Sequence, residues 1–247
     1  GAGMKALARF APGILVLLAA LWFGSRTRPV AAPADGMDVN SFGKIPVVHQ
    51  GRVIPLDSFA RTQLRIVSEK EDFKDAQGKT QPAVRWLLDT MVFTMGDGSQ
   101  AREHAVFRIV DPQLLSTLDL RERVGLRYAI TEFGTGLPKL AESTQKADQK
   151  REQGRELDGF DRELLKLHRN LQAFQAIARL SVPHLVPPEG TAAWRTIPEA
   201  LSPGSGMEAR DRRASAFVGI LDAYSRKDAE AFNSKLDTKH KWVGVGL

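Results

Sequence analysis

The sequence predicts a mainly α-helical protein with small β elements: an N-terminal membrane helix, a short β-hairpin, then a helical domain containing a long helix or helical hairpin. Three observations predict it. An uncharged run, Phe10–Ser25, is flanked by Arg9 and Arg26. Apolar residues recur at helical spacing over 84–95 and again over 160–178. Extended β-type stretches are short and closed by Gly or Pro, which keeps any sheet small.

Composition bounds the functional classes. The chain has 247 residues, 43% hydrophobic and 26% charged, which suits a globular core and not a disordered tail. Its net charge is +6. Lys5, Arg9, Arg26 and Arg28 precede the first acidic residue, so the rest of the chain is only slightly basic. Nothing there neutralises phosphates over a broad surface, and no nucleic-acid partner is expected. The absence of cysteine excludes disulfides, thiol nucleophiles, cysteine-ligated metal and a CxxCH site for covalent haem.

The elements follow in order. The run centred on Ile14–Phe23 is a membrane signal. About 20 apolar residues span a bilayer, and about 7 to 15 make a signal-peptide core. A helix from Ala6 to Phe23 puts Arg9 at one interface and Trp22 with Phe23 at the other. Residues 1–25 are therefore expected to be a signal anchor. Cleavage near Ala32-Pro33-Ala34 is the alternative. Either route places the remainder outside the membrane, so the expected location is the bacterial inner membrane, with a single N-terminal span and the bulk of the chain periplasmic. Residues 26–43, rich in Pro, Ala and Gly, read as a linker, with the fold starting near Lys44.

Residues 44–135 read as an α+β subdomain. Ile45–His49 and Arg52–Pro55 are extended around a Gln50-Gly51 turn. Asp57 or Ser58 then caps a helix with apolar positions 59, 60, 64, 66 and 67. Lys70–Thr80 reads as polar loop. Pro82 opens a second helix, on which Val84, Leu87, Leu88, Met91, Val92 and Met95 share a face, ending at Gly96. Ala105–Val110 and Arg127–Thr131 are strand candidates, and Asp111-Pro112 caps a brief helix through Leu118.

Residues 136–247 read as a helical subdomain. From Leu137 to Leu180 the pattern is helical, and Gly154 and Gly159 mark a break that makes it a hairpin. Phe160, Leu164, Leu167, Leu171, Phe174 and Ala178 form a seam spaced for packing along another helix. Prolines and glycines from Pro183 to Gly206 read as an irregular connection. A last helical region carries Phe217, Ile220, Leu221 and Tyr224 on one face, and Ala229–Leu236 adds further turns.

No residue pattern by itself identifies an active site. The five histidines, His49, His104, His168, His184 and His240, show no HxxxH or HExxH spacing for a metal. His168 reads as a helix-flank residue. His49 and His104 read as hydrogen-bonded surface histidines, with haem ligation or proton transfer as the alternative. GxSxG, P-loop and dinucleotide fingerprints are missing.

One segment carries a resemblance. Pro46-Val47-Val48-His49-Gln50-Gly51-Arg52-Val53-Ile54-Pro55-Leu56-Asp57-Ser58-Phe59-Ala60-Arg61 resembles the PV-x-x-x-GR-x-x-PLD-(S/T)-x-A signature that opens the periplasmic portion of system II cytochrome c biogenesis proteins. Lys79–Asp89, Arg102-Glu103-His104 with Phe107-Arg108-Ile109, and Asp111-Pro112 with Leu114-Leu115 are similar to its continuation. The likeness covers roughly residues 44–200.

The resemblance implies a membrane complex that moves haem outward and attaches it to apocytochrome c. The expected partners are the remaining membrane module of that system, apocytochrome c and membrane lipid, with haem met only indirectly. The family's tryptophan-rich loop is not found here: Trp22, Trp86, Trp194 and Trp242 are dispersed. The chain is accordingly expected to be an N-terminal portion that binds no cofactor alone, haem belonging to the complete complex. It is expected to act as a scaffold or docking domain and not as the catalyst. Candidate docking or haem-propionate residues are Arg52, Asp57, Arg61, His49 and His104. Arg52 is the foremost, because a guanidinium beside a turn can grip a carboxylate bidentately; a local ion pair with Asp57 explains it equally. The reading from a different class is an unrelated membrane-anchored periplasmic domain that binds a ligand or supports the envelope.

Overall fold

A computed structural model describes residues 35–96, 99–134, 136–187, 193–202 and 211–243. The expected membrane segment lies outside the described residues, and no described helix is long and apolar enough to cross a membrane. The described residues cluster as one compact unit. It is mainly helical, with small two-stranded antiparallel sheets.

Folding begins before Lys44, inside the stretch expected to be linker. Helix α1 (Val39–Gly43) is capped by Asp38, whose carboxylate accepts from the Ser41 amide at 2.9 Å. Met37, Val39 and Phe42 are buried, and the Phe42 ring meets Phe217 at 5.9 Å and Phe232 at 6.1 Å. Three hydrophobic anchors thus order a segment whose Pro- and Gly-rich surroundings hide them.

The signature hairpin forms as expected. β1 (Pro46–His49) pairs with β2 (Arg52–Pro55) in the register His49↔Arg52. Gln50 at φ 50° and Gly51 at φ 74° make the two-residue turn whose twist suits a hairpin. Helix α2 (Leu56–Ser68) follows without the expected cap: Pro55 occupies the N-cap, and neither Asp57 nor Ser58 caps it. The Leu56 amide instead donates to the Ile45 carbonyl at 2.8 Å, so the helix grows straight out of the strand. Phe59, Ala60, Leu64 and Val67 are buried as expected, but Ile66 points outward, 50% exposed.

Lys70–Thr80 is not a loop. β3 (Asp72–Lys74) pairs with β4 (Thr80–Pro82) around a turn organised by Asp75, whose Oδ1 accepts from the Gln77 amide at 3.1 Å and the Lys79 amide at 2.9 Å. Helix α3 (Ala83–Met91) begins after Pro82 and ends before the expected Gly96. Its apolar face, with Trp86, Leu87, Leu88 and Met91 fully buried, packs against α2 and the later helices. Then come α4 (Ser99–Glu103), β5 (Phe107–Arg108), α5 (Pro112–Thr117) and β6 (Arg127–Tyr128). The strands are shorter than expected, since Ile130–Phe133 turns into a 3₁₀ helix. Asp111 caps α5 as expected, accepting from the Leu114 amide at 2.8 Å.

The expected helical hairpin is α6 (Gly136–Glu152) and α7 (Gly159–Ala178). Asp158 caps α7, and Lys150 of α6 reaches Asp161 at 2.8 Å, tying the two helix ends together. On the seam, Leu164, Leu167, Phe174 and Ala178 are buried, with Phe160 and Leu171 packed partly against the core. The irregular connection contains one unexpected helix, α8 (Ile197–Leu201), started by a Thr196–Glu199 capping box. α9 (Arg212–Ser225) then packs on α10 (Ala229–Val243), burying Phe217, Ile220, Leu221 and Tyr224. One continuous core runs from Met37 to Leu236.

Two substitutions test this packing. Leu88→Asp puts an uncompensated carboxylate at a fully buried site and is expected to cost about 3 kcal/mol or more, read from urea unfolding. Unchanged unfolding would refute the α3 packing. At Gly136 an added Cβ would lie 2.7 Å from the Leu118 Cα. Gly136→Ala is therefore expected to destabilise by about 1 to 3 kcal/mol, despite alanine's higher helix propensity.

Candidate functional site

Five residues were singled out by sequence, and the structure does not bring them together as one site. Arg52 is exposed on β2 and makes no ion pair among the described residues; the local pair with Asp57 is not formed. Asp57 bridges Arg61 one helical turn on, at 2.7 Å, with both partners substantially exposed. A pair of that kind contributes about 0.3–0.5 kcal/mol. His49 is half-buried, its ring edge-on to Phe59 at 4.9 Å. Its backbone neighbour Val48 forms a bridge with His184. Burial, with the neighbouring His184 adding to it, holds the His49 imidazole below its ordinary pKa and favours the neutral ring.

His104 departs most from expectation, being buried and not a surface histidine. Its Nε2 faces Asp89 Oδ2 at 2.7 Å, and its ring packs on Phe73 with centroids 4.4 Å apart. The Tyr224 hydroxyl donates to the other Asp89 oxygen at 2.6 Å. Asp89 is 4% exposed, so α3 carries a carboxylate inside the core, closed on both oxygens by donors from the segment after α4 and from α9.

Asp89 and Tyr224 line a cleft of about 480 Å³. Arg85, one turn before Asp89 on α3, lines it and pairs with Asp35. The Arg85 guanidinium carbon lies 5.7 Å from the centre of the Tyr224 ring. Burial, with the Asp89 charge adding to it, pushes the Tyr224 phenol well above its ordinary range. Asp89, Tyr224 and Arg85 were missed by sequence reading. The available signal was Asp89 itself, a carboxylate set between Leu88 and Thr90 on the apolar helix.

The His104 Nε2 is committed to Asp89, and no cluster of three or more metal-ligating side chains occurs among the described residues. No family profile matches the chain, and no curated protein matches it.

The Tyr224 phenol carries a pH prediction. Its folded-state pKa is raised, so its contribution is fully present below the unfolded value of about 10 and is lost as pH climbs towards the folded one. Unfolding midpoints measured from pH 9 to 11 are expected to fall in the native chain. In Tyr224→Phe the fall should be shallower, from a lower starting stability, because Asp89 loses a donor, at a cost of about 1–3 kcal/mol. Parallel pH curves would refute the assignment.

Proposed function

We propose that this chain is the membrane-anchored, periplasmic part of a cytochrome c maturation complex, in which it serves as a scaffold that docks partner proteins. The observation that carries this reading is the signature segment 46–61 and what its residues do in the fold. Its inward half builds the domain: Val47, Leu56, Phe59 and Ala60 are buried. Its outward half builds nothing. Arg52 is exposed and without an ion pair among the described residues, and Val53 is 53% exposed beside it. As successive strand residues they face opposite ways, so the closed end of the hairpin offers a cation on one face and an apolar contact on the other. The cation suits a partner carboxylate.

On this reading Asp57 in the first turn of α2 orients Arg61, and His49 packs the closed end of the hairpin on Phe59. The partners are the remaining membrane module and apocytochrome c, while haem is handled elsewhere in the complex. The second reading, a membrane-anchored periplasmic ligand-binding domain, draws on the cleft beside Arg85.

The test is the double variant Arg52→Glu with Val53→Asp in the complete maturation system. Haem-stained cytochrome c is expected to fall several-fold and co-purification of the membrane module to weaken. Stability of the variant should change by no more than about 0.5 kcal/mol, because both residues are exposed. Undiminished cytochrome and intact co-purification would overturn the docking role.

A further inference from the structure

The cleft described above is bounded by α3 and the turn after it, by α4, by the end of α9, and by residues 35–37. Its volume of about 480 Å³ lies within the range of small-molecule sites, about 300–1,000 Å³. One wall is apolar, formed by Met37, Val92 and Met95. The charged groups are distributed unevenly. Asp89 already has a hydrogen-bond partner on each oxygen, His104 on one and Tyr224 on the other. Lys227, exposed at the rim, makes no ion pair among the described residues. Arg85 is half satisfied: Nη2 pairs with Asp35, while Nη1 is buried without a hydrogen-bond partner among the described residues.

A guanidinium presents a planar fork that matches both oxygens of a carboxylate. Asp35 fills one branch only. It enters the cleft from the segment preceding α1, held there by Asn233, whose amide donates to the Gly36 carbonyl at 2.9 Å and accepts from the Asp38 amide at 2.8 Å. We propose that the cleft is a binding site for a small organic carboxylate, with Arg85 as its anchor, Lys227 as a second attraction, and Asp35 as an internal carboxylate that the ligand displaces. The apolar wall takes the ligand's hydrocarbon part. This site stands on observations separate from the hairpin, so its failure and the failure of the docking role are distinguishable.

The chain has five methionines, of which Met37 and Met95 line the cleft and Met91 is fully buried. Methyl-¹³C methionine NMR of the full chain therefore reads the site directly, with butyrate as the probe and butanol, butylammonium and sodium chloride as comparisons. Saturable movement of the Met37 and Met95 signals with butyrate alone is expected. Asp35→Asn should lower the half-saturating concentration several-fold, because the internal competitor is gone. Arg85→Gln should abolish the movement while the Met91 signal reports an intact core, and Lys227→Gln should weaken binding by less than tenfold. Equal movement with butylammonium, an unchanged response in Arg85→Gln, or no tightening in Asp35→Asn would each overturn the proposal. Should Arg85→Gln not fold, the Asp35 and Lys227 variants still decide it.

Discussion

The carboxylate of Asp89 is the constraint around which the molecule is arranged. A carboxyl group that is 4% exposed is strongly destabilising unless hydrogen-bond partners surround it. Its donors come from 15 residues away, at His104, and 135 residues away, at Tyr224. Neither is local, so the carboxylate is satisfied only when α3, the segment after α4 and α9 have all reached their places. The apolar core would tolerate many sliding arrangements of Leu, Val and Phe, whereas two short hydrogen bonds on one carboxylate admit few. The carboxylate thus links α3 to the segment after α4 through His104 and to α9 through Tyr224.

Elements with a strong local rule were legible in the sequence. The Gln50-Gly51 hairpin, the Asp111-Pro112 helix start and the Gly154–Gly159 break each encode their geometry in one or two residues, and each is found where expected. The α7 seam was legible because six residues at consistent spacing outweigh local noise. The β3–β4 hairpin was not, because Phe73 is its one buried hydrophobic residue and its turn is held by the Asp75 side chain. The first turn of α2 was misread because a tertiary contact, Leu56 to Ile45, replaced the expected side-chain cap.

The candidate site divides the same way. Arg52 was legible as a cation beside a turn, and it stands exposed there. The cleft was not legible, because its members, Asp35, Arg85, Asp89 and Tyr224, are brought together by tertiary packing and share no motif. His104 illustrates the limit: its neighbours in sequence suggest a surface strand edge, and only the fold shows the buried carboxylate opposite it.

Helix α1 connects these features physically. Phe42 lies between Phe217 of α9 and Phe232 of α10, and Gly43 approaches α2 so closely that a Cβ there would sit 3.0 Å from the Asp57 Cβ. On one side α1 leads through Ile45 into the signature hairpin, and on the other it leads back through Met37 to Asp35 on Arg85. The chain's entry into the domain is thus fixed at both ends by the core that holds the hairpin. Met37 and Phe42, both buried, stand in the chain between Asp35 on Arg85 and the Gly43 that closes on Asp57, so the entry segment, the cleft wall and the start of α2 share one core.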